Sequence, residues 1–334
     1  MIKKIAINGF GRIGKTFLRV LMTDEKAIKE IDVVAINVGP ANPEHIAFQF
    51  KHESILNTFK GNVSFEKDYL IINNHKIRVF AEPDPTKINW KNLNIDFVVE
   101  CSGRFTTKEK ASLHLQSGSK KVLITAPAKD EDITIIPGVN DSDYNSEKHN
   151  IISLGSCTTN CFAPIVKILK EEFELEQGIM TTIHAYTNDQ VLLDIDHKDL
   201  RRSRAAAINI IPTKTGADKV VTKIYPEFEN KIKARAVRVP VAIGSLVDFA
   251  FKTKKNCGIE EINEAFKNYA NNEMKNILQY CEEALVSSDF IGNTHSCIID
   301  SLLTQSTGEL GKIFAWYDNE YGYSCRLKDF LLHN

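Results

Sequence analysis

A strand that runs into a glycine-rich turn and out again as a helix is compatible with few folds, and this chain opens with one. Ile5-Ala6-Ile7 reads as a short buried strand, Gly9-Phe10-Gly11-Arg12-Ile13-Gly14 spaces its glycines as G-x-G-x-x-G, and Ile13, Phe17, Val20 and Leu21 then recur at helical spacing. In a dinucleotide-binding turn the first glycine makes the bend, the second lets backbone approach a pyrophosphate, and the third allows close packing of helix on strand. The phosphates then rest on the free N–H groups of the helix N-terminus. A purely structural strand-to-helix turn would use the same residues, so the flanks carry the argument. Ile31-Asp32-Val33-Val34-Ala35-Ile36 resumes a strand, and runs at 97–101 and 121–125 bracket the amphipathic stretch Lys108 to Gln116. This alternation predicts a doubly wound, mostly parallel sheet over the first ~150 residues.

One part of the fingerprint is missing. The acidic residue that holds the adenosine ribose at the end of the second strand would fall at Val38, within Ile36-Asn37-Val38-Gly39-Pro40. Without that carboxylate there is neither an acceptor for the 2′-hydroxyl of NAD nor a charge against the 2′-phosphate of NADP, and this loop alone leaves the choice between them open.

Beyond Ile151-Ile152-Ser153-Leu154 and a helix candidate over Phe162 to Phe173, the pattern changes. Period-two runs at 236–239 and 245–249 succeed one another with few helices between them, which predicts an antiparallel sheet, with one further helix over Ile259 to Asn276. The boundary between the halves falls near Ser156.

Composition narrows the partners. Lys and Arg number 42 against 43 Asp and Glu, for a net charge of −1, so neither nucleic acid nor an anionic membrane is expected as the main partner. No apolar run approaches the ~18 residues a spanning helix needs, and the N-terminal stretch broken by Asn8 and Gly9 does not read as a signal peptide. Seven cysteines with no export signal imply free thiols in a reducing, cytoplasmic compartment. There is no Cys-x-x-Cys and no close His/Cys cluster, so no metal is expected.

Ser153-Leu154-Gly155-Ser156-Cys157-Thr158-Thr159-Asn160 links a strand to a helix and sets Cys157 at the helix N-terminus. The macrodipole there favours a thiolate, although an inert core thiol would fit the position equally well. Cys161, one turn on, reads as packing. His184 ends a strand-like run and enters the polar segment Thr187-Asn188-Asp189-Gln190, which makes it the best base among nine histidines; His45, His75, His114, His149 and His333 lie in polar or terminal contexts.

The chain resembles the phosphorylating glyceraldehyde-3-phosphate dehydrogenases. The blocks that carry the resemblance are 6–14, Ser156-Cys157-Thr158-Thr159-Asn160, 184–190, Asp199-Leu200-Arg201-Arg202, 209–212, Thr215-Gly216, Arg238-Val239-Pro240 and 316–320, in the family's order over nearly the whole length. The resemblance implies a Rossmann domain over 1–156, rejoined by the segment 319–334, and an α+β catalytic domain over 157–318 with a mainly antiparallel sheet. It implies oxidation of glyceraldehyde 3-phosphate, with inorganic phosphate, to 1,3-bisphosphoglycerate in glycolysis or gluconeogenesis. Cys157 would attack the aldehyde to form a hemithioacetal and then a thioester, while His184 takes the hydroxyl proton and, as an ion-pair partner, lowers the thiol pKa. Thr187, Arg202 and Arg238 would hold the substrate phosphate, and Ser156, Thr158, Thr215 and Gly216 the attacking phosphate. Gly9, Gly11, Arg12, Ile13, Gly14, Pro83, Thr125 and Asn319 would line the cofactor site. A homotetramer is implied, with the loop from Thr187 to Arg204 at a subunit interface.

Departures from the family pattern cluster at the adenosine end. Val38 stands where Asp is usual, the loop Gly39-Pro40-Ala41-Asn42-Pro43 is one residue longer than is common in the family, and Pro83 replaces a frequent Arg. Asp196 adds a carboxylate in a loop that reaches a neighbouring subunit's cofactor in the family, which leans the choice to NAD without excluding NADP. Lys214 beside Thr215 and Tyr321 in place of Trp also depart. The alternatives are the sister activity on erythrose 4-phosphate, which needs no second anion site and so no Thr215-Gly216, and a non-catalytic binding role at a surface or on RNA.

Overall fold

The computed structural model describes residues 2–39 and 42–334, so Pro40 and Ala41 of the lengthened loop lie outside the described residues. The chain divides into two compact units: residues 1–135, 141–155 and 324–334 form one, and 136–140 and 156–323 the other.

The first unit runs β1 (Lys3–Asn8), α1 (Arg12–Thr23), α2 (Glu25–Glu30), β2 (Ile31–Asn37), α3 (Pro43–Lys51), β3 (Val63–Glu66), β4 (Tyr69–Ile72), β5 (His75–Phe80), β6 (Phe97–Glu100), α4 (Lys108–Gln116), β7 (Lys121–Ile124), β8 (Ile133–Thr134) and β9 (Ile151–Ser153). Its nine strands lie in the order β3-β4-β5-β2-β1-β6-β7-β9-β8. All pairings are parallel except the edge ladders β3/β4 and β4/β5. Ile5, Ala6 and Ile7 are fully buried, as a central strand covered on both faces requires. The first β-α-β unit carries an additional short helix, α2, because Asp24 caps a new N-terminus by accepting hydrogen bonds from the N–H groups of Lys26 (3.0 Å) and Ala27 (2.8 Å).

β1 lies between β2 and β6, the position at which the strand order reverses and ligands bind beyond the carboxyl ends. A buried polar network occupies those ends. The Glu100 carboxylate accepts from Asn8 Nδ2 and from the Ser102 N–H and hydroxyl, while Asn8 Oδ1 accepts from Asn37 Nδ2 at 2.7 Å. His114, expected in a polar context, is instead completely buried against this network, with Nε2 3.2 Å from Glu100 Oε2 and Nδ1 accepting from Trp90 Nε1 at 3.4 Å. It sits on the inward face of α4, where a buried imidazole is tolerable because both ring nitrogens find partners.

The second unit comprises α5 (Cys157–Phe173), β10 (Leu175–Ala185), β11 (Ile211–Thr213), α6 (Ala217–Ile224), β12 (Ile232–Val239), β13 (Ser245–Thr253), α7 (Ile259–Asn271), β14 (Leu278–Cys281), β15 (Cys297–Asp300), β16 (Gln305–Thr307), β17 (Leu310–Tyr317) and the start of α8 (Tyr321–His333). Its sheet runs β11-β12-β10-β13-β17-β15-β14, with β16 beside β17. Most pairings are antiparallel, but β10/β12 and β14/β15 are parallel. Phe162, Ile165, Val166 and Leu169 of α5 are fully buried against this sheet, with the Phe162 ring edge-on to Phe249 at 4.9 Å. The helix expected to reach Asn276 stops at Asn271, where Asn272 leaves helical geometry at φ −121°, ψ −100°. Among the described residues no helix is long and apolar enough to cross a membrane.

Candidate active site

Ser156 caps α5, its Oγ accepting from the Thr159 N–H at 3.1 Å, which places Cys157 as the first helical residue. Its Sγ lies 3.5 Å from Nε2 of His184 near the end of β10. The parallel register of β10 and β12 sets Arg238 directly opposite His184, and residues opposite one another in a sheet share a face. Arg238 Nη1 consequently comes within 2.7 Å of His184 Nδ1 and donates to the Ala185 carbonyl at 2.8 Å. That carbonyl also lies 2.6 Å from Nδ1. The two contacts at Nδ1 select opposite tautomers: Nδ1–H donating to Ala185 leaves the Nε2 lone pair toward the thiol, as a base requires, whereas a bare Nδ1 accepting from Arg238 puts the proton on Nε2.

Tyr317 and Thr182 complete the row. The phenol of Tyr317 hydrogen-bonds the hydroxyls of Thr158 (3.0 Å) and Thr182 (2.8 Å), and its ring stands edge-on to His184 at 6.0 Å. Sequence reasoning quoted Tyr317 without giving it a role. The signal was its inward phase on the alternating run 310–317, where it is buried.

The electrostatics bear on the ion pair that the resemblance implies. Cys157 as a residue is only half-buried, yet the packing around its sulfur raises the thiol pKa, and Arg238 and hydrogen bonds from Thr158 offset this only in part. Burial, and then the cation of Arg238, lower the His184 pKa from 6.5 to about 3. Both shifts disfavour the charged forms and so work against the thiolate–imidazolium ion pair that the resemblance implies. Cys161, fully buried with its Sγ 3.8 Å from the Ala315 carbonyl, is a packing residue.

The expected anion ligands divide by what already engages them. Arg202 is clamped: Nη1 pairs with Asp189, Nε donates to Thr213 Oγ1 at 2.9 Å, and Nη2 donates to the Lys214 carbonyl at 3.2 Å. Thr213 in turn donates to Asp199 at 2.8 Å. Sequence reasoning missed this clamp, which joins residues from the loop after β10 to β11. Arg202 and Arg238 lie close enough for each field to be felt at His184. Thr187 opens the same loop, its carbonyl accepting from the Gln190 N–H at 2.8 Å. The side chains of Ser156 and Thr158 are committed to the helix cap and to Tyr317, and the Thr158 backbone N–H faces the Cys157 sulfur. Gly216 caps α6 and a Cβ built there meets nothing within 4 Å, while beside it Thr215 Oγ1 accepts from the Ala217 N–H at 3.3 Å. Asn319 is buried, its Oδ1 accepting from the Gly244 N–H (3.1 Å) and the Ser245 hydroxyl (3.0 Å), which makes Nδ2 the donor end of the amide.

In the first unit the glycine turn has the geometry its spacing predicts. Gly9 has φ +94°, and a Cβ there would stand 2.4 Å from the Ser102 nitrogen; one on Gly14 would stand 2.2 Å from the Gly9 carbonyl oxygen. A Cβ on Gly11 meets nothing within 4 Å, and α1, which it caps, has no side-chain cap and no acidic residue in its first turn. An open helix N-terminus with two glycines spent on packing and one left clear fits a dinucleotide pyrophosphate. Arg12 pairs with Glu53 beside it, Ile13 is the second residue of the helix, and Thr125 donates its hydroxyl to the Glu100 carbonyl at 3.0 Å. Pro83 is exposed just past β5.

Two family models match the chain. Residues 3–108 match that described as glyceraldehyde 3-phosphate dehydrogenase, NAD binding domain, and residues 156–319 match that described as glyceraldehyde 3-phosphate dehydrogenase, C-terminal domain. Among curated proteins, the chain is 47% identical over 331 residues to glyceraldehyde-3-phosphate dehydrogenase 2 of Bacillus subtilis, covering 99% of this chain and 96% of that one. It is 49% identical over 329 residues to the glyceraldehyde-3-phosphate dehydrogenase of Thermotoga maritima, covering 98% of each, and 47% identical over 331 residues to that of Geobacillus stearothermophilus, covering 98% and 97%.

Proposed function

This chain belongs to the glyceraldehyde-3-phosphate dehydrogenase family, and from that premise we propose how its own residues carry out the phosphorylating oxidation of glyceraldehyde 3-phosphate with NAD. The observation that carries the proposal is Cys157 Sγ at 3.5 Å from a neutral His184 whose pKa burial and Arg238 hold at about 3. His184 Nε2 takes the thiol proton as sulfur adds to the aldehyde carbon and hands it to the oxygen of the resulting hemithioacetal, which leaves Nε2 free again. Nε2 next receives the proton from that hydroxyl as the carbon gives up its hydride and becomes a thioester. NAD, when bound, supplies the acceptor for that hydride. An oxygen of inorganic phosphate then attacks the thioester carbon, the C–S bond breaks, and the sulfur regains its proton from His184 as the acyl phosphate leaves.

Arg202 and Arg238, with Thr187, hold the substrate phosphate, and guanidinium forks suit that task. Ser156 and Thr158, with Thr215 and Gly216, hold the attacking phosphate. Gly9, Gly11, Arg12, Ile13, Gly14, Pro83 and Thr125 hold the dinucleotide, and the Asn319 amide donates to the nicotinamide carboxamide. A homotetramer is supported by the apolar residues that the loop after β10 presents to solvent, with Leu192 at 80%, Leu200 at 83% and Ile208 at 79% exposure. The seven free thiols suit a reducing cytoplasm.

The test is NAD reduction with glyceraldehyde 3-phosphate, with and without inorganic phosphate. Turnover that requires phosphate is expected. Turnover indifferent to phosphate would overturn the assignment of Thr158, Thr215 and Gly216, and activity surviving alkylation of Cys157 would overturn the mechanism.

A further inference from the structure

The end of β2 poses a question that the family assignment does not answer. In a doubly wound sheet the adenosine ribose lies over that end and an acidic residue there reads the 2′-hydroxyl, but position 38 here is a buried valine. The neighbouring strand supplies charge in its place. Residue 37 pairs with Phe80 across β2/β5, and the Val38 N–H donates to the Phe80 carbonyl at 2.9 Å, so the residues following β5 run beside the vacated position. Asn37 ties them down with two hydrogen bonds: its Nδ2 donates to the Glu82 carbonyl at 2.8 Å and its Oδ1 accepts from the Glu82 N–H at 3.0 Å. The same Asn37 bonds Asn8 at 2.7 Å, and its carbonyl accepts from the Gly9 N–H at 2.8 Å, so the glycine turn and the Glu82 segment share one anchor.

That segment, Glu82-Pro83-Asp84, carries two carboxylates and no cation. Asp84 Oδ1 accepts from the Thr86 N–H (3.0 Å) and hydroxyl (2.7 Å), which hold its carboxyl below the usual range, and Glu82 Oε1 accepts from the Asp84 N–H at 3.1 Å. Lys87, exposed, is the cation whose field reaches Asp84.

We propose that Glu82 and Asp84, anchored by Asn37 at the end of the strand beside Val38, exclude the 2′-phosphate of NADP and so set the preference for NAD that residue 38 no longer sets. The inference rests on the assignment of the first unit as the NAD-binding one. NAD and NADP share the pyrophosphate, so the ratio of their dissociation constants isolates the 2′-phosphate, a near-dianion at neutral pH. Two fixed carboxylates repel it through water and salt, and their removal is expected to tighten NADP about fivefold relative to NAD.

The experiment is calorimetric titration of the purified full chain with each dinucleotide, for wild type and for Glu82→Gln/Asp84→Asn. Both substitutions keep the hydrogen-bonding oxygens, and an unchanged NAD affinity reports an intact fold. The double variant should narrow the NADP-to-NAD ratio about fivefold by removing repulsion that is felt across solvent. Added salt should narrow that ratio in wild type and leave it flat in the variant. An unchanged ratio in a variant that still binds NAD overturns the proposal while leaving the NAD assignment standing. A wild type that binds neither dinucleotide overturns the assignment, and this inference with it.

Discussion

Holding His184 neutral inside the site should make the fold sensitive to acid in a way one substitution can remove. The imidazole pKa falls from 6.5 to about 3 on folding, driven first by burial and then by Arg238. A depressed native value means that the unfolded chain binds the extra proton first, so the contribution is complete above pH 6.5 and is lost as pH falls toward the native value. Between pH 7 and pH 5 the unfolded imidazole takes up nearly a full proton while the native one takes up almost none. At 1.36 kcal/mol per pH unit this costs about 2 kcal/mol of stability at pH 5. That figure holds for any native pKa below about 4, so it depends on the burial and not on the depth of the shift. Other carboxylates and histidines titrate in the same window, and comparison with His184→Gln subtracts them, because glutamine keeps a polar group in the site but cannot charge. Urea denaturation of both proteins at pH 7 and pH 5, at one fixed subunit concentration, should show wild type losing about 2 kcal/mol more than the variant. Equal losses would mean that His184 charges freely in the folded protein, and the neutral-imidazole reading would fall.

With glyceraldehyde 3-phosphate and NAD but no phosphate, wild type should accumulate one acyl group per chain on Cys157, seen by mass spectrometry and as a burst of NADH; Cys157→Ser should show neither. Asp189→Asn weakens the clamp on Arg202, and since Asp189 is 42% exposed the loss should be modest: KM for the phosphorylated aldehyde rises about fivefold, with kcat changed less. Gly14→Ala would set a methyl 2.2 Å from the Gly9 carbonyl oxygen, and the forced backbone shift should cost about 1–3 kcal/mol and abolish NAD binding, as thermal melts with and without NAD would show.

Much of the framework was legible because it is local. The helix over Lys108 to Gln116 was read to the residue, and the first strands were found within a residue or two, since buried central strands are continuous apolar runs between turn residues. The edge formed by β3, β4 and β5 was not read. Its strands are short and half-exposed, and the turn that joins the last two uses Asn73 and Asn74 at φ +50° and +69°, a left-handed pair in place of the Asn-Gly that flags a hairpin. His114 was misplaced because its burial depends on Glu100, a partner on another strand that no periodicity in α4 announces.

The placement of Cys157 at a helix N-terminus was legible, and the groups that surround its sulfur were not. Sequence placed the thiol at a helix N-terminus, and a macrodipole contributes about 0.3–2 kcal/mol, equivalent to little more than one pKa unit at best. Full burial can move a titratable group by about 3–5 units in the opposite direction. Which effect wins is decided by groups far along the chain: Arg238, 54 positions from His184, meets it only because β10 and β12 pair in parallel register, and Tyr317, 159 positions from Thr158, closes over the site from β17. The same register that brings Arg238 to the place proposed for the substrate phosphate sets it beside Nδ1, where it adds to burial in lowering the imidazole pKa. A base must be unprotonated to accept a proton, so the arginine proposed as a phosphate ligand also favours the form of His184 that the proposed mechanism needs.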